Sequence, residues 1–192
     1  MVVCDDIIQQ KQALRHEMKA RRALMNESER ARAAWSLSHH LSDWLEANAP
    51  ASIGVYLARP YEISLDLVIE KLLREGVTVA APRVDVGRGI MTFWRLESLD
   101  NVENGPWSVR QPPATQHLEI EELPLLLVPG LAFGLDGGRL GTGGGWYDRV
   151  LPRAQTTIGV GFDCQIIPQV PLEDHDCRVN FVASEARWLE VG

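Results

Sequence analysis

The densest cluster of residues able to do chemistry is the segment Pro129-Gly-Leu-Ala-Phe-Gly-Leu-Asp-Gly-Gly-Arg-Leu-Gly-Thr-Gly-Gly-Gly-Trp-Tyr-Asp148. Six glycines fall between Gly137 and Gly145, a density that the entropy cost of each glycine makes unfavourable inside a helix or strand. The stretch Gly134–Gly145 therefore reads as a loop. It follows a buried-strand pattern, Leu123–Val128, and leads into a short helix near Trp146–Leu151. In open α/β sheets ligands bind there, at the carboxyl ends of strands, with backbone N–H groups free to cradle phosphate. Arg139 can pair with phosphate oxygens, and Asp148 can hold Mg²⁺, which binds phosphates through one or two protein carboxylates. Neither familiar nucleotide fingerprint is present: GxxxxGK followed by Ser or Thr is missing, and Gly141-Thr-Gly-Gly-Gly145 is not GxGxxG. A phosphate loop of a different kind is the leading reading, and a tight structural connection is the other.

The elements that must position this loop follow from periodicity. Ile7, Leu14, Met18 and Met25 recur at helical spacing from Asp5 to about Leu24, and after a turn at Asn26 a second helix runs from Glu27 to Ala47. A strand Ser52–Leu57, an amphipathic helix near Leu65–Arg74, a stop at Gly76 and a strand Val77–Ala81 form a βαβ unit, which favours a parallel sheet. Met91–Leu96 reads as a further strand, whereas Asn101–Thr115 is rich in turn formers and is expected to cross the surface. Thr157–Gly161 and Val179–Ala183 complete the sheet. The expected architecture is α/β, a three-layer, mostly parallel sheet with flanking helices, as a single domain over residues 1–192.

Composition sets outer limits. The 192 residues include 19 Lys and Arg against 26 Asp and Glu, a net charge of −7 that disfavours wrapping nucleic acid or anionic membrane. Three cysteines, Cys4, Cys164 and Cys177, are too few and odd in number for a disulfide framework, so a reducing, cytoplasmic setting is expected. The N-terminus carries no basic-then-apolar leader, and no run approaches the roughly 18 apolar residues of a membrane span.

The string Arg139–Asp148, preceded by Pro129–Phe133, closely resembles the signature of 5-formyltetrahydrofolate cyclo-ligases. The resemblance extends to Lys11-Gln-Ala-Leu-Arg15, to Leu57 with Glu62-Ile63, and to Pro171–Asp176, and so covers nearly the whole chain. It implies an ATP- and Mg²⁺-dependent enzyme that closes 5-formyltetrahydrofolate to 5,10-methenyltetrahydrofolate, releasing ADP and phosphate. ATP is then the co-substrate and Mg²⁺ the cofactor, and the protein is expected to be a cytoplasmic monomer without nucleic-acid or membrane partners. Lys11, Arg15, Arg139 and the run Gly141, Thr142, Gly143, Gly144, Gly145, Trp146 and Tyr147 are implied to bind ATP. Leu57, Glu62, Trp146 and Tyr147 are implied to bind folate, and Asp148 and Asp176 to hold the metal. Arg139, Tyr147 and Asp148 are expected at the reacting centre. Some members carry a lysine where this chain has Gly144, so Arg139 or Lys11 is expected to supply that charge.

Other constellations have plainer readings. Lys11, Arg15 and Arg22 share one edge of the first helix, ordinarily a solvated face. Seven of the 19 basic residues lie between Lys11 and Arg32, which leaves an RNA-contacting helix as a second possibility. Without the resemblance, Glu62 reads as an ordinary exposed glutamate and Asp176 as part of a solvated acidic turn. Cys164, His175 and Cys177 offer only three ligands at spacing atypical of zinc. Ser38, His39 and His40 match no hydrolase motif. An isomerase or small-molecule kinase on the same kind of sheet, or a folate- or RNA-binding relative without turnover, are the competing functional classes.

Overall fold

The computed structural model describes residues 2–191, with side chains from Asp6 onward, so the side chain of Cys4 lies outside the described residues. The N-terminal apolar stripe forms α1 (Val2–Ala23). The Asn26 side chain then accepts from the Glu29 N–H at 2.9 Å, and the Asn26 N–H donates to the Glu29 carboxylate at 2.8 Å. This reciprocal cap, of a kind that contributes ~1 kcal/mol, opens α2 (Glu27–Asn48). Leu37, Leu41 and Leu45 recur one turn apart on its buried face, and burying each such side chain contributes about 1.5–3 kcal/mol. The chain continues through β1 (Ser52–Gly54), α3 (Asp66–Arg74), β2 (Thr78–Asp85), β3 (Ile90–Arg95), β4 (Glu103–Asn104) and β5 (Arg110–Gln111). There follow β6 (His117–Leu118), β7 (Leu125–Pro129), β8 (Ala132–Gly134), β9 (Arg139–Leu140), β10 (Thr156–Val160), β11 (Ile166–Ile167), β12 (Phe181–Ala183) and β13 (Trp188–Glu190).

Eight strands form one sheet in the order β13-β12-β10-β7-β1-β2-β3-β6. Its centre, from β12 to β2, is parallel, and β13, β3 and β6 add antiparallel margins. The α/β class with a mostly parallel sheet is as the sequence indicates. Along β7, Leu125 and Leu127 enter the core shared with α2 and α3, while Leu126 and Val128 enter the core of the opposite face. A strand covered on both sides is therefore a continuous apolar run. The first helix packs instead on a small sheet, β11-β8-β9, with Met18 fully buried against Leu131, Ala132 and Leu140. Among the described residues no helix is long and apolar enough to cross a membrane.

Several local expectations are revised. The strand expected over Ser52–Leu57 ends at Gly54: Val55 still donates to the Ala80 carbonyl at 2.8 Å, but Val55–Leu57 then leave the ladder. Asn101–Thr115 is not a plain surface crossing, because it contains the β4–β5 hairpin. The stretch Gly134–Gly145 is not one loop either. β8 and β9 pair antiparallel, Ala132 opposite Leu140, and Gly137 (φ 77°) takes the left-handed turn between them, so the free loop begins only at Gly141. The short helix expected near Trp146–Leu151 is a turn, with the Leu151 N–H on the Tyr147 carbonyl at 2.8 Å, followed by a single 3₁₀ turn at Leu151–Arg153. Pro152 has no N–H to give, and the glycine run leaves too few residues to repay helix nucleation.

The small sheet is fastened to the large one by Phe133, which is fully buried. A Cβ on Gly159 would stand 2.4 Å from its ring, one on Gly130 2.6 Å and one on Gly161 3.1 Å, so the ring occupies a socket that only glycines leave open. Gly159→Ala is expected to lower stability by about 1–3 kcal/mol, a fall in melting temperature of roughly 2–12 °C at this chain length. An unchanged melting temperature would mean the socket is not close-packed.

Candidate active site

A cavity of about 380 Å³ lies at the carboxyl ends of the parallel strands, within the usual range of about 300–1,000 Å³ for small-molecule sites. Its floor comes from the ends of the strands: Tyr56 and Leu57 beyond β1, Pro82 and Val84 on β2, and Pro129 and Gly130 at the end of β7. One wall is the loop from Gly141 to Asp148, and the other is the β4–β5 hairpin with Trp107, Val109 and Gln111.

Arg139 holds the loop wall in place. Its side chain, on β9, is only 3% exposed. The guanidinium donates to the Pro129 carbonyl at 3.2 Å and pairs with Asp148, while its carbon lies 5.6 Å from the centre of the Tyr147 ring. The end of β7, strand β9 and the far end of the glycine loop are thereby joined by one charged group. The Arg139 Nε has no partner, which leaves an unmade donor beside the cavity. Within the loop, Gly143 (φ 101°) and Gly145 (φ 65°) take left-handed backbone that other residues adopt only at a cost. Gly144 is closed to side chains, because a Cβ there would stand 2.6 Å from the Trp146 Nε1.

The basic edge of α1 is not a solvated face. Arg15 Nε donates to the Gly141 carbonyl at 3.0 Å and so holds the start of the loop. Lys11, 6% exposed, pairs with Glu173 at 2.6 Å and with Asp176. Arg22 is 7% exposed; burial lowers its guanidinium pKa, opposed by the charge of Glu62. On an edge that spacing alone reads as solvated, Lys11 and Arg22 are thus buried and Arg15 is half-buried. Lys11, Arg15, Gly143 and Asp176 do not line the cavity, whereas Leu57, Glu62, Arg139, Gly141, Thr142, Gly144, Gly145, Trp146, Tyr147 and Asp148 do.

Glu62 is also less exposed than an ordinary glutamate: its side chain is 8% exposed and forked by Arg59, whose backbone N–H, Nε and guanidinium NH2 donate at 2.9, 3.1 and 2.7 Å. Tyr56, which donates to the Ile63 carbonyl at 2.8 Å, braces the same turn. Tyr56, Arg59 and Trp107 escape a reading by motif. Trp107 is 65% exposed at the cavity mouth, in left-handed backbone (φ 56°), with its ring 6.1 Å from that of Trp146. A tryptophan set among Gly105, Pro106 and Ser108 is the one signal in the sequence that could have found it.

Among the described residues no three His, Cys, Asp or Glu side chains, those of Cys164, His175 and Cys177 included, group as a metal cage. Mg²⁺ needs less, since one or two carboxylates and substrate phosphates are its usual ligands. Asp148 lines the cavity and Asp176 lies beyond its lining. As hard oxygen donors they suit Mg²⁺. Each is held by its own cation, Arg139 or Lys11.

Residues 7–185 match the model of the 5-formyltetrahydrofolate cyclo-ligase family. The chain is 29% identical to the 5-formyltetrahydrofolate cyclo-ligase of Mus musculus, over 91% of this chain and 93% of that one. It is 27% identical to the enzyme of that name from Haemophilus influenzae, over 88% and 94%. The solved structure of Aquifex aeolicus 5,10-methenyltetrahydrofolate synthetase superposes with a TM-score of 0.84 at 25% identity, covering 94% of this chain and 92% of that one.

The Lys11 clip generates a pH prediction. Burial pushes the Asp176 carboxyl up, but the Lys11 ammonium and the Glu173 N–H outweigh it and hold it below the usual range. Burial likewise pulls Lys11 down, and its two carboxylates outweigh that and raise it. The depressed carboxyl contributes stability that is lost as pH falls through its folded value, and the raised ammonium contributes stability lost as pH rises through its own. The clip is therefore complete between about pH 4 and pH 10. Lys11→Met is expected to cost about 1–3 kcal/mol and to speed amide exchange across residues 171–177 in that window. Exchange as slow as in the parent would show that the clip does not hold the segment.

Proposed function

Since the chain belongs to the 5-formyltetrahydrofolate cyclo-ligase family and is an enzyme of that kind, we propose that it converts 5-formyltetrahydrofolate to 5,10-methenyltetrahydrofolate with ATP as co-substrate. ADP and phosphate are released. The observation that carries the reading is that one cavity holds both a glycine loop clasped by Arg139 and Asp148 and a cleft with aromatic faces and a fixed carboxylate. Residues 1–192 act as one domain. The free thiols of Cys164 and Cys177 agree with a reducing cytoplasm, and the net charge of −7 agrees with a monomer acting on small molecules without nucleic acid or membrane.

The formyl group on N5 is an amide, with a poor leaving oxygen and a carbon that resists attack by N10. In the proposed reaction the amide oxygen attacks the γ-phosphorus and the bond from phosphorus to ADP breaks. N10 then closes the ring on the activated carbon and loses its proton, and phosphate departs with the former formyl oxygen. Such a transfer asks the protein mainly to align the two substrates and stabilise spreading phosphoryl charge. Arg15, Lys11 and Arg139, with the amides of Gly141–Gly145 and the side chain of Thr142, bind the triphosphate, and Trp146 and Tyr147 contact it at the loop's end. Leu57, Trp146 and Tyr147 pack against the pterin, which stacks well on aromatic faces. Glu62 accepts hydrogen bonds from the pterin's amino-pyrimidinone edge, presented by Arg59. Asp148 and Asp176 would hold Mg²⁺, which would supply charge neutralisation at the phosphates.

Tyr147 stands beside Arg139 at the reacting centre, but burial raises its phenol well above the usual value. It is therefore neutral at physiological pH and acts as a packing and donor group, not as a base. Accordingly kcat is expected to show no rising limb from tyrosinate formation below about pH 10; a Tyr147→Phe-sensitive limb near neutrality would contradict this assignment. The function itself is tested by the absorbance of methenyl-folate on mixing the protein with 5-formyltetrahydrofolate, ATP and Mg²⁺. Growth only with ATP, and a fall of at least about 100-fold in Asp148→Ala, is expected. A flat trace from the parent protein would remove the catalytic reading.

A further inference from the structure

Arg139 and Lys11 each bring carboxylates along with their charge, Asp148 with Arg139 and Glu173 and Asp176 with Lys11, so beyond Arg15 the glycine loop gains from a cation that no carboxylate offsets. A side chain at position 144 cannot supply it, because Trp146 lies over Gly144. The geometry points instead to Arg149. Among the described residues this exposed arginine forms no ion pair, yet it does not extend into solvent. Its guanidinium folds back over the loop, with Cζ 4.9 Å from the centre of the Trp146 ring and NH2 3.4 Å from the Gly144 carbonyl. A Cβ on Gly145 would lie 3.3 Å from NH1, so the group runs along Gly144, Gly145 and Trp146, all of which line the cavity. Stacking on tryptophan fixes the plane of a guanidinium while leaving its edge donors available. A 3.4 Å bond to a neutral carbonyl is weak and is readily exchanged for a charge-assisted bond to phosphate.

We propose that Arg149 is an ATP-binding residue, meeting the phosphates from the Gly144–Trp146 side of the loop while Arg15 holds the Gly141–Gly143 side. The closed position 144 and the stacked Arg149 are two consequences of one arrangement. Trp146 shuts out a side chain from within the loop and supplies the platform for a cation from just beyond it. This inference rests on reading the cavity as a nucleotide and folate site.

The test is calorimetric binding of ADP and of a non-hydrolysable ATP analogue, with Mg²⁺, to the full chain and to its Arg149→Gln and Arg149→Lys variants, with the methenyl absorbance assay alongside. Arg149→Gln is expected to weaken nucleotide binding and raise KM for ATP about tenfold, with Arg149→Lys recovering most of the loss. KM for 5-formyltetrahydrofolate is expected to move less than about twofold in either variant. Nucleotide binding by Arg149→Gln equal to that of the parent overturns the proposal, as does an equal rise in the folate KM, which would mean that Arg149 merely props up Trp146. If the parent binds nucleotide but makes no methenyl-folate and Arg149→Gln binds more weakly, Arg149 keeps its role and the catalytic reading falls. If the parent binds no nucleotide, both fall together.

Discussion

A guanidinium with its side chain 3% exposed is costly to leave without its counter-charge: removing one partner from a buried ion pair typically costs about 3–5 kcal/mol. The pairing of Arg139 with Asp148 is therefore a constraint that the loop between them must satisfy, and most of the site follows from it. Arg139 sits on a two-residue strand whose direction is set by the β8 hairpin, and Asp148 lies beyond the last glycine. Bringing the two together obliges residues 141–147 to bulge over the ends of β7 and β1, and that bulge is the cavity wall. Left-handed backbone at Gly143 and Gly145 and the bond from Arg15 to Gly141 shape the bulge within that limit.

The clasp works only because its base is rigid. β9 carries Arg139 on a small sheet, and that sheet is locked to the large one by Phe133 in its glycine socket and backed by Met18 of the first helix. The helix that buttresses the small sheet also delivers Lys11 and Arg15 to the edge of the site. One amphipathic helix thus serves packing through its apolar stripe and electrostatics through its basic edge. On the far wall Glu62 is fixed in a comparable way, by a turn in which Arg59 occupies both of its carboxylate oxygens.

Much of this was legible in the sequence where a signal was periodic or dense. The apolar run Leu123–Val128, the turn at Asn26 and the glycine segment indicated the parallel sheet, the break between the first two helices and the position of the loop. What escaped depends on partners distant in sequence. The β8–β9 hairpin hid inside a glycine-rich string because its residues pair with each other only once β11 and the first helix back them. The helix expected after the loop did not form, since Pro152 and Gly145 bracket too short a segment. The basic edge of the first helix read as solvated because Glu173 and Asp176, which bury Lys11, lie more than 160 residues further along the chain. Trp107, in a segment that reads as surface, belongs to the cavity through contact with Trp146.

The proposed function asks one thing of fold, loop and clasp, that a triphosphate and a flat heterocycle meet in a single cavity with the formyl oxygen against the γ-phosphate. The direct test is to supply 5-formyltetrahydrofolate carrying heavy oxygen in its formyl group, with ATP and Mg²⁺, and to follow the label by mass spectrometry. The account predicts that the label appears in inorganic phosphate in step with methenyl-folate. Methenyl-folate formed with the label released to water, or with phosphate unlabelled, would contradict it.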